Sequence, residues 1–519
     1  MDQIRQRHNS SNLFIDHDFP GMDEHDTWAR PSEMAGSSNK VPKFISDTAT
    51  RFDIKQGYLG DCWFLAAMQV VIENEKLSEI ILCKNENSFE ENKYTGAFVF
   101  KFWQYGEWIE IIIDDRIPCQ FRYKKYYPKN LKVGDSGENN DEEMEFWPCL
   151  LEKAYAKLKG GYKNIIGGLG NEAFTDLAGS SGGVITIEQD NDQVDYFKKI
   201  LGYYQNGALC TASCNQGKNG VVPFHAYSIT GVTTALNGRV KLICCKNPWG
   251  RVECKGLPWN DDSDIWRQYP QEKKRLNDRL KDDGEFWMRF QDFCDIFTRL
   301  TVSYVNADHL TTKTLCRTKK IWKTIIDNHI DLPRGSYYAD KKPVPKTYFN
   351  IDEDNTQIIA SFLIKDRRKF SIKNIHTGFY IFKKSGSSGA MRSVFQMRKF
   401  EGYVAHENSK RITLDKGEYM IVPSSLSPLD RDYPSYVRIW KLAQNVHYGK
   451  KIKNIDRRAS LTGQKDDEDD NDDDKEKHKN NIDHKNHLTQ EEKDAIFSEL
   501  TDIEVKLSDL KENIIKFLE

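Results

Sequence analysis

The sequence lacks any apolar run that approaches the length of about 18 residues needed to cross a bilayer. It also lacks an excess of one charge, since 76 Lys and Arg residues stand against 78 Asp and Glu residues, for a formal net charge of -2. This balance excludes the overall basic field that would attract nucleic acid. The N-terminal residues, MDQIRQ, show no apolar stretch of the kind found in a secretory signal peptide. We therefore expect a cytoplasmic protein without a nucleic-acid partner.

The 11 cysteines do not follow the pattern of a disulfide-stabilised domain. Their number is odd, and they are spread through apolar segments of a chain of 519 residues. Disulfide frameworks are typical of small secreted domains, whereas a chain of this length is expected to fold as about two to four domains. The cysteines therefore predict free thiols in a reducing compartment, where a reactive thiol survives.

One cysteine lies in a segment with the chemistry of a nucleophile, QGYLGDCWFLAA over residues 56–67. Cys62 directly follows a turn-forming Gly-Asp pair and begins a helix-forming run. The unpaired N–H groups and the dipole of a helix N-terminus favour negative charge, so we expect this thiol to ionise readily. Gln56 is placed to donate a side-chain N–H to an oxyanion, beside the backbone N–H of Cys62. A buried structural cysteine is the alternative interpretation.

A cysteine nucleophile needs a base, and the base needs an orienting group. His225 begins a predicted strand in PFHAYSITG over residues 223–231, and Asn247 ends the next one in CKNPWG over 245–250. Two adjacent strands would bring the Asn247 amide oxygen to the far nitrogen of His225, with Trp249 shielding the bond from water. Considered alone, His225 would be interpreted as a hydrogen-bonded core histidine, and Asn247 would be interpreted as a turn residue. The chain order Gln, Cys, His, Asn favours a catalytic set.

The hydrophobic pattern predicts helices from Cys62 to about residue 75 and over 146–158, and a hairpin over 97–113. Strands are predicted over 208–213, 226–232, 240–245 and 285–290. Short β-like runs over about 310–445 indicate a β-sandwich. The acidic run over 466–474 predicts disorder, and it lacks the glycine and the ligand spacing of an EF-hand loop.

With its flanking motifs, the chain resembles the calpain family, the cytosolic calcium-dependent papain-like proteases. The resemblance also runs through EFWPCLLEKAYAK at 145–157, DGEFWM at 283–288, FTRL at 297–300 and GEYMIVPS at 417–424. It implies an α+β fold: a two-lobed papain-like cysteine protease core, followed by a C2-like antiparallel β-sandwich and a C-terminal helical tail. It resembles members of the family without a C-terminal EF-hand domain.

Six segments follow from this resemblance and from the changes in composition. They are an N-terminal extension (1–44), a first lobe with Cys62 (45–182), a second lobe with His225 and Asn247 (183–308), the C2-like sandwich (309–446), an acidic disordered linker (447–488) and an amphipathic helix (489–519). The last segment carries an a/d heptad stripe over about three heptads, opened by a capping box. It predicts a helix that docks on its own chain, self-associates or binds a partner helix.

The resemblance further implies two calcium sites that are not EF-hands, one in each lobe. Calcium takes oxygen ligands from carboxylates and carbonyls. The implied ligands are Asp53, Glu145 and the carbonyls of Ser46 and Thr48 in the first lobe, and Glu253, Asp261, Asp283, Glu285 and the carbonyl of Lys281 in the second. Arg51 is implied to link the lobes through Glu285. Solvated surface carboxylates are the alternative interpretation.

The sequence therefore predicts an intracellular calcium-regulated cysteine endopeptidase that makes limited cuts in protein substrates. One alternative is a catalytically silent calcium- or phospholipid-responsive scaffold on the same fold. A transglutaminase-like acyl transferase is a further alternative, although such enzymes usually orient the histidine with Asp, and Asn247 counts against it. In the C2-like domain, the acidic loop 352–354 and the basic segment 365–373 are candidates for calcium or phospholipid contact, with solvated faces as the expected interpretation.

Overall fold

The computed structural model describes the two lobes and the sandwich over residues 1–19, 27–35, 41–122, 125–128, 131–132, 134–135, 143–187, 193–276, 283–310, 320–334, 345–370, 372, 375–386, 389–397, 407–425 and 429–444. The predicted linker 447–488, the predicted helix 489–519 and Lys281 lie outside the described residues. Of the helices within these ranges, none is both long and apolar enough to span a bilayer.

The first lobe is built around the helix that begins at Cys62. In chain order its elements are α1 (Asp2–Arg7), β1 (Thr27–Ala29), α2 (Pro31–Ala35), β2 (Val41–Lys43), β3 (Lys55–Gln56), α3 (Cys62–Ile72), α4 (Glu75–Leu82), β4 (Ala97–Gln104), β5 (Glu107–Asp114), β6 (Ile117–Arg122), β7 (Lys125–Pro128), β8 (Leu131–Lys132), β9 (Gly134–Asp135), β10 (Glu143–Glu145), α5 (Trp147–Lys159) and α6 (Gly170–Ala178). Nine of the 11 residues of α3 are buried, so this helix forms the centre of the core. It ends at Ile72, before residue 75, because the Asn74 side chain caps the next helix by accepting from the Leu77 N–H.

The predicted hairpin and second helix of this lobe are confirmed. Strands β4 and β5 pair antiparallel around Tyr105 and Gly106, which both have positive φ. Helix α5 has a proline in its first turn, and Gly160, in the left-handed conformation, follows its last residue as the cap. Its Tyr155 ring stacks on Phe64 of α3 with ring centres 3.9 Å apart, which joins the two helices.

The second lobe is an antiparallel sheet of six described strands. Its elements are β11 (Ser181–Thr186), α7 (Gln193–Gln205), β12 (Leu209–Ser213), β13 (Ala226–Ala235), β14 (Val240–Lys246), α8 (Ile265–Gln268), α9 (Pro270–Leu276), β15 (Glu285–Arg289), α10 (Phe290–Ile296) and β16 (Arg299–Tyr304). The strand order is β11-β16-β12-β13-β14-β15. Ser228 of β13 pairs with Lys246 of β14, so the start of one strand lies beside the end of the next. The predicted adjacency of the two strands is confirmed.

The predicted antiparallel β-sandwich is also confirmed. Its strands are β17 (Lys320–Leu332), β18 (Thr347–Ile351), β19 (Thr356–Ile364), β20 (Thr377–Ser385), β21 (Ala390–Gln396), β22 (Glu407–Leu414), β23 (Gly417–Ser425) and β24 (Tyr433–Gln444). They form two sheets with the orders β17-β24-β19-β22 and β18-β23-β20-β21. Phe362 and Val437 of the first sheet and Ile381 and Ile421 of the second belong to one buried apolar core.

A buried ion pair of the sandwich lies where the sandwich contacts the first lobe. Arg438 of β24 pairs with Glu407 of β22 at 2.8 Å, and the two side chains are 1% and 0% exposed. Glu407 accepts a hydrogen bond from Thr175 Oγ1 of α6 at 2.8 Å. The Arg438 guanidinium lies 4.9 Å from the ring centres of both Trp103 and Trp440. The sandwich therefore contacts the first lobe through a desolvated polar centre.

A more exposed contact joins the two lobes. Arg51 donates from Nε and Nη2 to the two oxygens of Glu285 at 2.8 and 3.0 Å, which is the contact that the resemblance implied. Ser228 of β13 donates to Gln69 Oε1 at 2.6 Å and lies 3.0 Å from the Ala66 carbonyl oxygen, both on α3. The helix that carries Cys62 is thus connected directly to the strand that follows His225.

Candidate active site

A cavity of about 470 Å³ between the two lobes is lined by the predicted nucleophile and base. Gln56 and Cys62 line it from the first lobe, and His225 and Trp249 line it from the second. Asn247 is fully buried directly behind His225. The structure thus brings the four predicted catalytic side chains into one region.

His225 is oriented by Asn247. The distance between His225 Nε2 and Asn247 Oδ1 is 2.8 Å. Asn247 Oδ1 also accepts from the Trp249 N–H at 3.0 Å, while its Nδ2 donates to the Val252 carbonyl at 3.0 Å. These backbone partners fix the amide orientation, so Nε2 of the neutral imidazole carries the hydrogen and Nδ1 is left as the acceptor. The Trp249 ring, 4.8 Å from the imidazole centre, covers this pair.

Cys62 is the first residue of α3 and is half-buried. Burial raises the pKa of its thiol to about 11, and the charge of Asp61 acts in the same direction. The expectation that this thiol ionises readily is therefore wrong for the present conformation, because burial outweighs the helix N-terminus. Burial also lowers the pKa of His225 to about 4. Among the hydrogen bonds of the described residues, none joins Cys62 to His225.

Two buried carboxyl groups lie behind the nucleophile and were not predicted. Burial raises the pKa of Asp61 to about 7 and raises that of Glu152, and the two side chains share a hydrogen bond. Such a bond requires one of the two groups to be protonated. The pair therefore reduces the negative charge beside Cys62.

The Gln56 side chain is buried at the edge of the cavity. Its Nε2 donates to the Leu59 carbonyl at 2.7 Å and lies 3.3 Å from Asp61 Oδ1. Its Oε1 is buried and has no hydrogen-bond partner among the described residues. The backbone N–H of Gln56 donates to the Pro248 carbonyl of the second lobe at 2.8 Å. In this conformation the amide is therefore held by the first lobe and does not yet donate into the cavity.

The implied calcium ligands of the first lobe are engaged with the loop backbone. Glu145 Oε1 accepts from the Ser46 N–H at 2.8 Å, and Asp53 accepts from the N–H and hydroxyl of Thr50 at 2.7 and 3.1 Å. Ser46 Oγ is buried without a hydrogen-bond partner in the described chain, and Thr48 is exposed. The oxygen atoms here are of the type that calcium takes.

The implied ligands of the second lobe surround the turn before β15. Glu253 Oε1 accepts from the Gly284 N–H at 2.9 Å, and Asp283 Oδ1 accepts from the Glu285 N–H at 3.0 Å. Both oxygens of Glu285 are taken by Arg51, and Asp261 is partly buried. Throughout the described ranges, no three His, Cys, Asp or Glu side chains converge as a metal site. The oxygen atoms fit calcium in type, but those of Glu253, Asp283 and Glu285 now accept from N–H groups.

Comparison with known proteins decides the family. The profile described as calpain family cysteine protease matches residues 6–304, and that described as calpain large subunit, domain III, matches residues 329–433. The chain belongs to the calpain family. It is 31% identical to Calpain-8 of Rattus norvegicus, 33% to the Calpain-2 catalytic subunit of Homo sapiens and 34% to the Calpain-1 catalytic subunit of Mus musculus. These matches cover 85%, 80% and 77% of this chain, and 68%, 61% and 59% of the relatives, so the chain spans about two thirds or less of their length.

One group beside the predicted nucleophile was missed by the sequence analysis. Arg368 lies in the basic segment that was expected on a solvated face, but its guanidinium is 4.5 Å from the ring centre of Trp63. The neighbouring Arg367 is 5% exposed, so the solvated-face interpretation is wrong for both arginines. Arg368 pairs with Glu172, 196 positions earlier, and no local pattern signals a contact at that separation.

Proposed function

We propose that this calpain is an intracellular, calcium-regulated cysteine endopeptidase that makes limited cuts in protein substrates. The observation that supports this proposal is the 2.8 Å contact between His225 and Asn247 at a cavity that Cys62 also lines. In the proposed reaction, His225 Nδ1 takes the thiol proton and the Cys62 thiolate attacks the peptide carbonyl carbon. The imidazolium returns the proton to the leaving amine as the C–N bond breaks, and water then hydrolyses the thioester.

The negative charge that develops on the carbonyl oxygen needs donors. The Cys62 backbone N–H and Gln56 Nε2 are the groups that we assign to this role. Gln56 Nε2 now donates to the Leu59 carbonyl. It would therefore have to turn toward the substrate oxygen, as is common for catalytic hydrogen bonds that tighten only when substrate is bound.

We infer that catalysis requires a rearrangement of the lobes. With a thiol pKa of about 11 and an imidazole pKa of about 4, the neutral Cys62–His225 pair is favoured over the thiolate–imidazolium pair. A direct hydrogen bond between the two groups would stabilise the ion pair. Closure of the cavity is therefore part of the proposed mechanism.

We propose that calcium binds at two sites. The ligands of the first site are Asp53, Glu145 and the Ser46 and Thr48 carbonyls. The ligands of the second site are Glu253, Asp261, Asp283, Glu285 and the Lys281 carbonyl. When bound, calcium would supply positive charge to these carboxylates. Contact of the sandwich with phospholipid, and association through 489–519, remain predictions.

A second candidate is a catalytically silent scaffold that responds to calcium or phospholipid. The raised pKa of the Cys62 thiol and its missing bond to His225 favour this candidate. The Asn247 contact favours the peptidase, because a scaffold does not need an oriented imidazole. The same contact counts against a transglutaminase-like transferase, because such enzymes usually orient the histidine with Asp and not with Asn.

Peptidase assays and thiol labelling distinguish these functions. We expect hydrolysis of a casein substrate by the full chain to require calcium and to be lost in Cys62→Ala. We expect an active-site-directed thiol reagent to label Cys62 with calcium and not in chelator. Cys83→Ala is the matched control, since Cys83 is also half-buried and burial raises its pKa to about 11. Full activity in chelator would contradict calcium regulation, and inactivity with calcium would favour the scaffold.

A further inference from the structure

The residue that follows the nucleophile is held by groups outside its own helix. Trp63 is 2% exposed, and its Nε1 donates to the Ile165 carbonyl at 2.9 Å. The guanidinium of Arg368 lies over the indole ring, 4.5 Å from the ring centre. A guanidinium stacked on a desolvated indole is a favourable cation–π contact. The sandwich thus reaches the side chain adjacent to Cys62.

The N–H groups of the Arg368 guanidinium also donate hydrogen bonds. Its Nε and Nη2 donate to the two carboxylate oxygens of Glu172 at 2.6 and 2.9 Å, and its Nη1 donates to the Asn164 carbonyl at 2.8 Å. The Arg368 side chain is 21% exposed and that of Glu172 is 7% exposed. A planar guanidinium can stack on the indole ring and donate the paired hydrogen bonds at the same time, which a lysine ammonium cannot do.

The segment held by these contacts forms a wall of the cavity. Residues 167–170 line the cavity, and the Gly167 N–H donates to the Gly60 carbonyl at 2.9 Å. Gly168 is packed so tightly that a Cβ there would lie 2.5 Å from Arg368 Nη2 and 2.5 Å from Trp63 Cε2. Arg368 therefore joins the wall of the cavity to the first turn of the helix that begins at Cys62.

We propose that Arg368 of the sandwich is a positioning residue of the protease site, which holds Trp63 and the wall segment 164–170 in the arrangement that Cys62 needs. The inference rests on the proposed peptidase function and deepens it. Arg368 contacts no reacting atom. It acts through Trp63 and Glu172, so the sandwich is part of the catalytic unit.

The test compares two sandwich arginines in the full chain. Arg368→Ala removes the proposed contact. Arg411→Ala is the control, because Arg411 also lies over aromatic rings, 5.7 Å from Tyr304 and 5.5 Å from Trp322, but neither ring lines the cavity, whereas Trp63 does. We expect kcat to fall about 10- to 100-fold in Arg368→Ala, since displacement of a catalytic group by about 1 Å has effects of this size, and to stay within about twofold in Arg411→Ala.

Rescue distinguishes positioning from general stability. We expect methylguanidinium to restore part of the kcat of Arg368→Ala, and Arg368→Lys to remain impaired because it keeps the charge without the planar stack. An unchanged kcat in Arg368→Ala, no rescue by methylguanidinium or full activity in Arg368→Lys would overturn the proposal. If Arg368→Ala does not fold, impaired kcat in a folded Arg368→Lys supports the proposal.

Failure of the proposed function is recognised separately. If the wild-type chain hydrolyses no peptide, the peptidase proposal fails, and the readout becomes the rate of iodoacetamide alkylation at Cys62. We then expect Arg368→Ala to change this rate at least about threefold relative to Arg411→Ala, because the thiol sits on the first turn that Arg368 supports. Equal rates in the two variants would overturn the positioning role.

Discussion

The two junctions of the molecule differ in how deeply their ion pairs are buried. Between the lobes, the Arg51 and Glu285 side chains are 23% and 19% exposed. Where the sandwich meets the first lobe, the sandwich residues Arg438 and Glu407 are 1% and 0% exposed, and they bond to the Gly179 carbonyl and the Thr175 hydroxyl of that lobe. A partly exposed pair exchanges partners with water or ions at small cost, whereas a buried charge that loses its partner is strongly penalised. The ion pair at the lobe junction is therefore the easier of the two to break.

From this difference we infer that the rearrangement in the proposed mechanism takes place at the lobe junction. Cys62 and His225 lie on opposite sides of that joint, and they share no hydrogen bond among those of the described residues. Glu285 is both the partner of Arg51 and an implied calcium ligand, so the same carboxylate serves the joint and the proposed site. The sandwich contacts both lobes, since Arg368 lies over Trp63 of the first lobe and Glu407 accepts from Ser181 of β11 at 2.7 Å.

The largest expected effect is at the sandwich junction. Arg438→Leu leaves Glu407 buried without its cation, so we expect the free energy of unfolding to fall by about 3–5 kcal/mol. Urea unfolding measures this change. The double variant Arg438→Leu with Glu407→Leu should recover part of the loss, because neither charge then remains buried alone. A loss below about 1 kcal/mol in the single variant would show that this buried ion pair contributes little to stability.

The second prediction concerns the reactivity of Cys62 in chelator. Burial raises the pKa of this thiol to about 11, so thiolate is scarce near neutral pH. Since the thiolate fraction grows roughly tenfold per pH unit, we expect alkylation by iodoacetamide to speed up about 100-fold between about pH 7 and pH 9. Mass spectrometry follows the rate at each cysteine. Cys83 should show the same slope, because burial raises its pKa to about 11 as well.

A flat rate at Cys62 over this range, with the expected slope at Cys83, would contradict the second prediction. It would mean that the thiolate already exists without lobe rearrangement. The lobe junction would then have no role in activating the nucleophile, and the contrast between the two junctions would lose its functional meaning.

The parts of the molecule that were predictable are those set by local pattern. His225 and Asn247 lie 22 positions apart at the ends of neighbouring strands, so alternation and turn signals were enough to place them together. The burial that raises the pKa of Cys62 depends on tertiary packing, which no local pattern contains. Likewise, Arg368 pairs with Glu172, which lies 196 positions earlier in the chain. The charge of Arg368 alone predicted a solvent-exposed side chain. The helix predicted over 489–519 stays a prediction.

The third prediction is a smaller loss at the lobe junction. Arg51→Ala removes two hydrogen bonds to a carboxylate that is about one-fifth exposed. Because water replaces part of this interaction, we expect the free energy of unfolding to fall by about 1–2 kcal/mol, less than in Arg438→Leu. Arg51→Lys keeps the charge and should lose less. Equal losses in Arg51→Ala and Arg438→Leu, both measured by urea unfolding, would remove the distinction between the junctions.

The smallest effect is expected at the second contact between the lobes. Ser228 Oγ donates to Gln69 Oε1 at 2.6 Å, and both residues are buried. Ser228→Ala leaves that oxygen without its donor, so we expect a loss of about 1 kcal/mol in the free energy of unfolding. Ser303→Ala is the matched control, since Ser303 is a buried serine of the same sheet whose Oγ has no hydrogen-bond partner within the described residues. It should change stability little, and an equal loss in both variants would show that the hydrogen bond across the joint contributes nothing beyond filling space.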